Sequence, residues 1–156
     1  MTKIFGIAVA AVALMGLAGF ATPSFAQDHV VKELNHGPNG KPDVFEPALV
    51  KINPGDSVTF EPTDPGHMAM SINKDIPAGA KPFNCAVNKK CTVTFTVPGV
   101  YAYKCMPHMS FGMVGMIVVG QPTNIDKLNF SGIPRRAHDR LVAMAAQVKQ
   151  INTAER

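Results

Sequence analysis

The sequence predicts an all-β domain, a sandwich or barrel of short strands, followed by a helical tail. Segments that are β-branched, or that alternate between apolar and polar residues, fill positions 29–119 and are separated by Pro and Gly. Apolar residues recur at helical spacing only after Gly120. The chain has 156 residues, 46% of them hydrophobic and 17% charged, which suffices for one domain with a buried core.

The first 26 residues predict a cleavable secretory signal. Lys3 precedes an uncharged apolar run at positions 4–20, and small residues end the segment at Ala26. The run is long for a signal, so an uncleaved membrane anchor is the alternative, but Pro23 favours cleavage. We therefore expect an exported chain of residues 27–156, which meets oxidising conditions.

Seven segments of the mature chain are candidate strands. In the clearest of them Val93, Phe95 and Val97 share one face and threonines the other, as a half-buried strand requires. Turn residues, such as those of Pro54-Gly55-Asp56 and Pro98-Gly99, separate the segments. The candidates are residues 30–34, 44–52, 57–61, 68–72, 92–97, 100–104 and 114–119.

Residues 121–156 predict a helical extension of about two helices. Asn124 caps a short helix over residues 125–129, and a longer amphipathic helix covers residues 135–151. We expect the longer helix to pack on one flank of the β-domain, residues 27–120, with a partner-binding helix as the alternative. Its apolar face carries Leu141, Met144, Ala145 and Val148, and its polar face Arg136, Asp139, Arg140 and Lys149.

The charge distribution indicates a protein partner. The net charge is +4, but the basic residues are scattered, and only Lys89-Lys90 and Arg135-Arg136 are adjacent. The dense basic face of a nucleic-acid-binding protein is therefore not expected. A mild, dispersed excess fits a protein that meets an acidic partner surface.

The loop between the last two predicted strands carries metal-binding chemistry. Cys105, His108 and Met113 lie within nine residues, and His67 follows a turn elsewhere in the chain. Two imidazoles and one thiolate with a weak thioether are the ligand set of an electron-transfer copper site. Zinc is disfavoured because thioether is a poor ligand for it, and calcium or magnesium because carboxylates are not part of the set. A binuclear copper site would need a second cysteine in the loop.

This loop and other stretches together resemble the small blue copper proteins, the cupredoxins, and among them the pseudoazurins. The spacing Cys-x-x-His-x-x-x-x-Met separates pseudoazurins from relatives with other loop lengths. The resemblance implies an eight-stranded Greek-key sandwich in which His67, Cys105, His108 and Met113 ligate one type 1 copper ion. The matching stretches are Leu34-Asn35, Val44-Phe45-Glu46-Pro47, residues 54–60, residues 62–67, residues 97–108 and Met113-Val114-Gly115.

The resemblance also implies a function and partners. It indicates a monomeric electron carrier in the periplasm of a Gram-negative bacterium, between a cytochrome donor and nitrite reductase or another periplasmic reductase. A site closed by four ligands leaves no position for substrate, which argues against an enzyme. Copper storage, delivery or resistance is the alternative, because methionines cluster near the ligands, but a committed thiolate favours retention of the metal.

One departure from the family pattern lies beside the first ligand. Pseudoazurins carry Asn after that histidine, whereas this chain has Met68. The main-chain N–H there can still reach the thiolate, but the side-chain tie is lost.

We expect electrons to leave through His108, inside an apolar collar. The collar is expected to contain Pro107, Met109, Phe111 and Met113, extended by Pro42, and the alternative is that Met109 and Phe111 pack inwards.

The remaining two cysteines are expected to form a disulfide. In an exported protein with Cys105 committed to a metal, Cys85 and Cys91 are left to pair. The loop they close is short, so the bond stabilises the fold by roughly 2 kcal/mol. A redox role is disfavoured because the pair does not resemble a Cys-x-x-Cys centre.

Overall fold

The structure, a computed structural model, describes residues 26–154. The predicted signal, residues 1–26, therefore lies outside the described residues except for Ala26. Two four-stranded sheets pack face to face, and a C-terminal helix covers the outer face of one of them. Among the residues described, no helix is both long and apolar enough to span a bilayer.

The two sheets form a sandwich, as predicted, rather than a barrel. The strands of the described chain are β1 (Asp28–His36), β2 (Pro42–Glu46), β3 (Leu49–Ile52), β4 (Ser57–Pro62), β5 (Met70–Ser71), β6 (Cys91–Thr94), β7 (Gly99–Lys104) and β8 (Val114–Val119). One sheet has the order β2-β1-β4-β6 and the other β3-β8-β7-β5. The pairs β1/β4 and β3/β8 are parallel, and the other pairs are antiparallel.

The predicted strand at 44–52 is in fact two strands, one in each sheet. β2 ends at Glu46 and β3 begins at Leu49. Pro47 has no N–H to extend a ladder, so the chain leaves the first sheet there and enters the second. This division supplies the eighth strand. The predicted strand at 68–72 shrinks to Met70–Ser71 because a loop, rather than a strand, pairs with the residues before it.

Aromatic side chains fill the space between the sheets. Tyr103 of β7 lies with its ring centroid 4.7 Å from that of Phe45 and 5.2 Å from that of Phe60, both edge-on. Strand β8 is buried at all six positions, because the opposite sheet covers one face and the C-terminal helix the other. A strand covered on both faces is continuously apolar, as Val114–Val119 is.

The tail contains one α-helix, not two. Helix α1 spans Arg135–Ala154, three residues beyond the predicted end, and buries Leu141 and Val148 against the sheet, as expected of a flank-capping helix. The predicted helix at 125–129 is a single 3₁₀ turn, Ile125–Lys127. It stops there because the N–H of Asn129 donates to Asp75 Oδ1 (2.6 Å) instead of to a helical carbonyl.

The carboxylate of Asp56 joins the segment just before β1 to the turn before β4. The backbone N–H of Gln27 donates to its Oδ1 and that of Asn53 to its Oδ2, each at 2.8 Å. These two donors hold the pKa of Asp56 below its usual value. His29 Nε2 lies 3.4 Å from the same carboxylate.

Candidate metal centre

Three of the four predicted ligands meet at one end of the sandwich. The Sγ atom of Cys105 lies 3.6 Å from Nδ1 of His108 and 4.0 Å from Nδ1 of His67, and the two Nδ1 atoms are 3.0 Å apart. His67 and Cys105 are fully buried, whereas His108 is half-buried. In the described chain this is the one cluster of metal-ligating side chains of its kind.

The outer nitrogen of His67 is fixed by Asn35 at the end of β1. Nε2–H of His67 donates to Asn35 Oδ1 at 2.8 Å, which leaves the lone pair of Nδ1 facing the thiol. The backbone N–H of Asn35 in turn donates to Asp64 Oδ2 at 2.7 Å. Burial lowers the pKa of His67, with a smaller contribution from His108, so the ring stays neutral as a ligand must.

The thiol of Cys105 sits among backbone donors in a closed environment. The main-chain N–H groups of Met68 and His108 point at its sulfur and favour the thiolate. Burial is the larger effect and raises the pKa of the Cys105 thiol. The thiol is therefore protonated in the metal-free protein, and a metal that binds there must displace the proton. The Met68 amide acts as expected from the sequence.

The ligand loop between β7 and β8 closes on itself through backbone hydrogen bonds. The N–H of Cys105 donates to the carbonyl of Met113 (3.0 Å), and the N–H of Met113 donates to that of His108 (3.1 Å). Gly112, with φ of +92°, turns the chain in a left-handed conformation that favours glycine. Met113 is fully buried in the core next to the cluster.

Helix α1 reaches this loop from outside. Nη1 of Arg140 donates to the carbonyl of Gly112 at 2.5 Å, one residue before Met113. The sequence pattern placed Arg140 on the solvent face of the helix, whereas its side chain is half-buried against the loop. Arg140 precedes the inward Leu141 by one position in the helix, so neither its polarity nor its spacing indicated this contact.

The donor set and its spacing fit a copper ion. Donors in one plane at roughly 2.0–2.3 Å from a central ion lie roughly 3.5–3.8 Å from one another. The three separations of 3.0, 3.6 and 4.0 Å bracket that value. Two neutral imidazoles and one thiolate suit copper, and Met113, buried in the same core cluster as Cys105, would supply a soft thioether donor.

The surface around His108 is apolar, but not all of the residues expected in the collar are exposed there. Met106 and Phe111 are 50% and 49% exposed, and Pro107 is also exposed. Met109 is half-buried and packs under α1, while Met113 is fully buried, so the expectation that Met113 belongs to the collar is wrong. It fails because the loop turns Met113 inward towards the cluster. Pro42 is exposed at the start of β2.

The Cys85–Cys91 disulfide is present, as expected. Two polar residues that hydrogen-bond to His67, Asn35 to its ring and Asn88 to its main chain, were not identified from the sequence. Asn35 continues the alternation of the buried residues Val31 and Glu33 on β1, although it is itself exposed, and this alternation could have pointed to it. Asn88 lies in the disulfide loop, 21 residues after His67, and no local pattern connects the two.

Comparisons with known proteins give one consistent family. Residues 31–120 match the family model of copper binding proteins, plastocyanin/azurin family. Pseudoazurin from Paracoccus pantotrophus is 43% identical over 143 residues, which cover 91% of this chain and 96% of that protein. The solved pseudoazurin of Methylobacterium extorquens AM1 has a TM-score of 0.73 and 39% identity, covering 78% of this chain and 98% of that one. The solved pseudoazurin of Hyphomicrobium denitrificans has a TM-score of 0.73 and 34% identity, covering 77% of this chain and 97% of that one.

Proposed function

Because the chain belongs to the pseudoazurins, small copper proteins that transfer electrons, we propose that it shuttles single electrons through His67, Cys105, His108 and Met113 as copper ligands. The convergence of one thiol and two imidazoles within 4.8 Å, at the end of a rigid sandwich, carries this proposal. Bound copper supplies a one-electron couple between Cu(I) and Cu(II).

The protein's part is to keep the donors in one arrangement. The backbone bonds of the loop hold Cys105 and His108, while Asn35 fixes the ring of His67. Burial of Cys105 and Met113 excludes water from the sulfur donors. A site that is rigid and dry needs little rearrangement when its charge changes by one, which favours fast transfer.

Retention of the metal distinguishes this function from copper storage or delivery. A delivery site must open for its cargo, whereas Cys105 and His67 are both fully buried. The hydrogen bond from His67 to Asn35 further resists rotation of the ring. We accordingly propose a carrier that catalyses no reaction of its own.

The partner side of the proposal concerns the surface around His108. Met106, Pro107 and Phe111 form an exposed apolar patch beside the half-buried imidazole, and such a patch suits brief docking. The net charge is +4 for the full sequence and becomes +3 when Lys3 is removed with the leader, and this positive charge would speed encounter with an acidic partner. We propose a cytochrome as donor, nitrite reductase or another periplasmic reductase as acceptor, and a monomeric carrier.

The location follows from the leader. We propose that residues 1–26 direct export to the periplasm and are removed, leaving the copper domain at 27–120 and the helical extension at 121–156. The extension packs on the same domain through Leu141 and Val148. Mass spectrometry of the exported protein tests the cleavage site directly.

The test of the carrier function is an absorption spectrum of the mature protein with one equivalent of Cu(II), before and after ascorbate. We expect an intense blue band that ascorbate removes and reoxidation restores, because a copper–thiolate bond is strongly coloured. Cys105→Ser should lose the band, whereas Ser110→Ala, an exposed change in the same loop, should keep it. A colourless complex, or copper lost at once to a chelator, would favour storage or delivery.

A second measurement tests the docking patch. Phe111→Asp should leave the spectrum unchanged and slow electron transfer to the reductase, because a negative charge then interrupts the apolar surface and repels an acidic partner. An unchanged transfer rate would place docking elsewhere.

A further inference from the structure

Hydrogen bonds join the disulfide loop, residues 85–91, to the segment that carries His67. The N–H of Gly66 donates to Asn88 Oδ1 at 2.6 Å, and the N–H of Asn88 donates to the carbonyl of His67 at 2.9 Å. Two residues further on, the N–H of Cys85 donates to the carbonyl of Ala69, also at 2.9 Å. Asn88 thus binds the main chain both immediately before His67 and at His67 itself.

Asn88 can do this only in an unusual backbone conformation. Its φ is +59°, in the left-handed region where asparagine is among the few non-glycine residues tolerated. The turn is closed by the N–H of Lys89, which donates to the carbonyl of Ala86 (3.1 Å). The disulfide joins the two ends of this turn, from buried Cys85 to Cys91 at the start of β6.

The segment that Asn88 contacts is also hydrogen-bonded to the Cys105 thiol, through the residue after His67. The residue after His67 is Met68, whose main-chain N–H points at the Cys105 sulfur. A shift of the His67 backbone would therefore move an imidazole donor and a thiolate hydrogen bond together. The thioether side chain of Met68 accepts only weak hydrogen bonds, so Met68 cannot hold the His67 segment by a strong side-chain hydrogen bond. The polar contacts of Asn88 are therefore not duplicated by Met68.

We propose that Asn88 is a positioning residue for His67, and that the Cys85–Cys91 disulfide holds Asn88 in place. This inference rests on the proposed function, since it takes His67 as a copper ligand. Asn88 acts through the backbone of His67 and does not itself touch the donor atoms. The disulfide then contributes to the geometry of the metal centre in addition to stabilising the fold.

The test compares variants that separate the side chain of Asn88 from its backbone. Asn88→Gly keeps the left-handed conformation and the N–H to His67 but removes the acceptor for Gly66. Asn88→Asp keeps an oxygen acceptor and serves as the conservative rescue. Val87→Ala, an exposed change in the same loop, is the matched control. The double variant Cys85→Ser/Cys91→Ser removes the disulfide.

Three properties should be measured for each variant: the rate of copper loss to a chelator, the visible spectrum with the reduction potential, and hydrogen exchange of the Gly66 amide in the copper-free protein. We expect Asn88→Gly and the double variant to lose copper roughly ten- to a hundredfold faster, as is typical when an outer contact of a metal ligand is removed. Their spectra and potentials should shift, and exchange at Gly66 should accelerate. Asn88→Asp and Val87→Ala should resemble the wild type.

The outcomes separate this inference from the proposed function. If the wild type is blue but Asn88→Gly matches it in copper loss, spectrum and potential, the positioning role is refuted. Faster unfolding with an unshifted spectrum would likewise show that the loop only stabilises the fold. A wild type that never becomes blue would overturn the proposed function, and this inference with it.

Discussion

Replacement of Glu33 by Gln should make the protein more stable at neutral and alkaline pH. Glu33 lies on β1, is only 1% exposed, and has an Oε2 atom without a hydrogen-bond partner among the described residues. Among the described residues, the buried hydroxyl of Tyr103 also has no hydrogen-bond partner. Burial raises the pKa of Glu33 to about 7. Glutamine has the same shape and never ionises.

The sign and size of the effect follow from linkage. Because the pKa is higher in the folded state, the unfolded chain releases the proton first as pH rises, and the folded state loses stability between pH 4.5 and about 7. That difference in pKa corresponds to about 3 kcal/mol at full burial, and relaxation with water entry reduces it to about 2 kcal/mol. Below pH 4.5 the carboxyl is protonated in both states, so this source of instability disappears.

The assay is denaturant unfolding of copper-free protein at a series of pH values from 4 to 8. The free-energy difference between Glu33→Gln and wild type should move by about 2 kcal/mol in favour of the variant across this range. Val30→Ala, an exposed change on the same strand that alters no ionisable group, should give a nearly constant difference. Parallel stability curves for Glu33→Gln and wild type would refute the reasoning, because they would mean that the Glu33 carboxyl keeps an ordinary pKa.

Three further substitutions test other contacts. Gly115→Ala should destabilise the fold by about 1–3 kcal/mol in denaturant unfolding, because the added Cβ would overlap the ring of Tyr103; an unchanged midpoint would argue against that close approach. Arg140→Ala should speed copper loss and cost about 1–2 kcal/mol, since the carbonyl of Gly112 loses its donor; identical chelation kinetics would count against a role for the helix. Asp56→Asn should lower stability at pH 7 and flatten its fall below pH 4, because the lowered pKa of Asp56 stabilises the fold only while the carboxylate is ionised; equal acid sensitivity would contradict this.

The sandwich and the cluster could be predicted because their signals are local. Cys105, His108 and Met113 lie within nine residues, so one loop brings them close whatever the rest of the chain does. Alternation in 92–97 was sufficient to orient β6, where Val93 is half-buried and the threonines at 92 and 94 are exposed. His67 lies 38 residues before Cys105, so the sequence offered only its position after a turn, and its approach to the thiol depends on how the two sheets pack.

The misassigned features depend on distant contacts. Arg140 resembles any solvent-facing helical arginine until α1 is placed beside Gly112. Asn88 is an exposed polar residue in a turn, and its two hydrogen bonds to residues 66 and 67 exist only because the disulfide loop folds back on them. The short tail helix failed for the same reason, since Asp75 takes the N–H of Asn129 from a different part of the chain.

The contact between Gln27 and Asp56 gives the residue that follows the proposed cleavage site a structural role. Under the proposed cleavage after Ala26, the nitrogen that donates to Asp56 at 2.8 Å changes from a peptide N–H into a charged ammonium group. A hydrogen bond between two charged groups is stronger than one from a neutral amide. Removal of the leader would then add an ion pair to the fold. Recombinant protein that retains extra residues before Gln27 would lack the ammonium group of this pair.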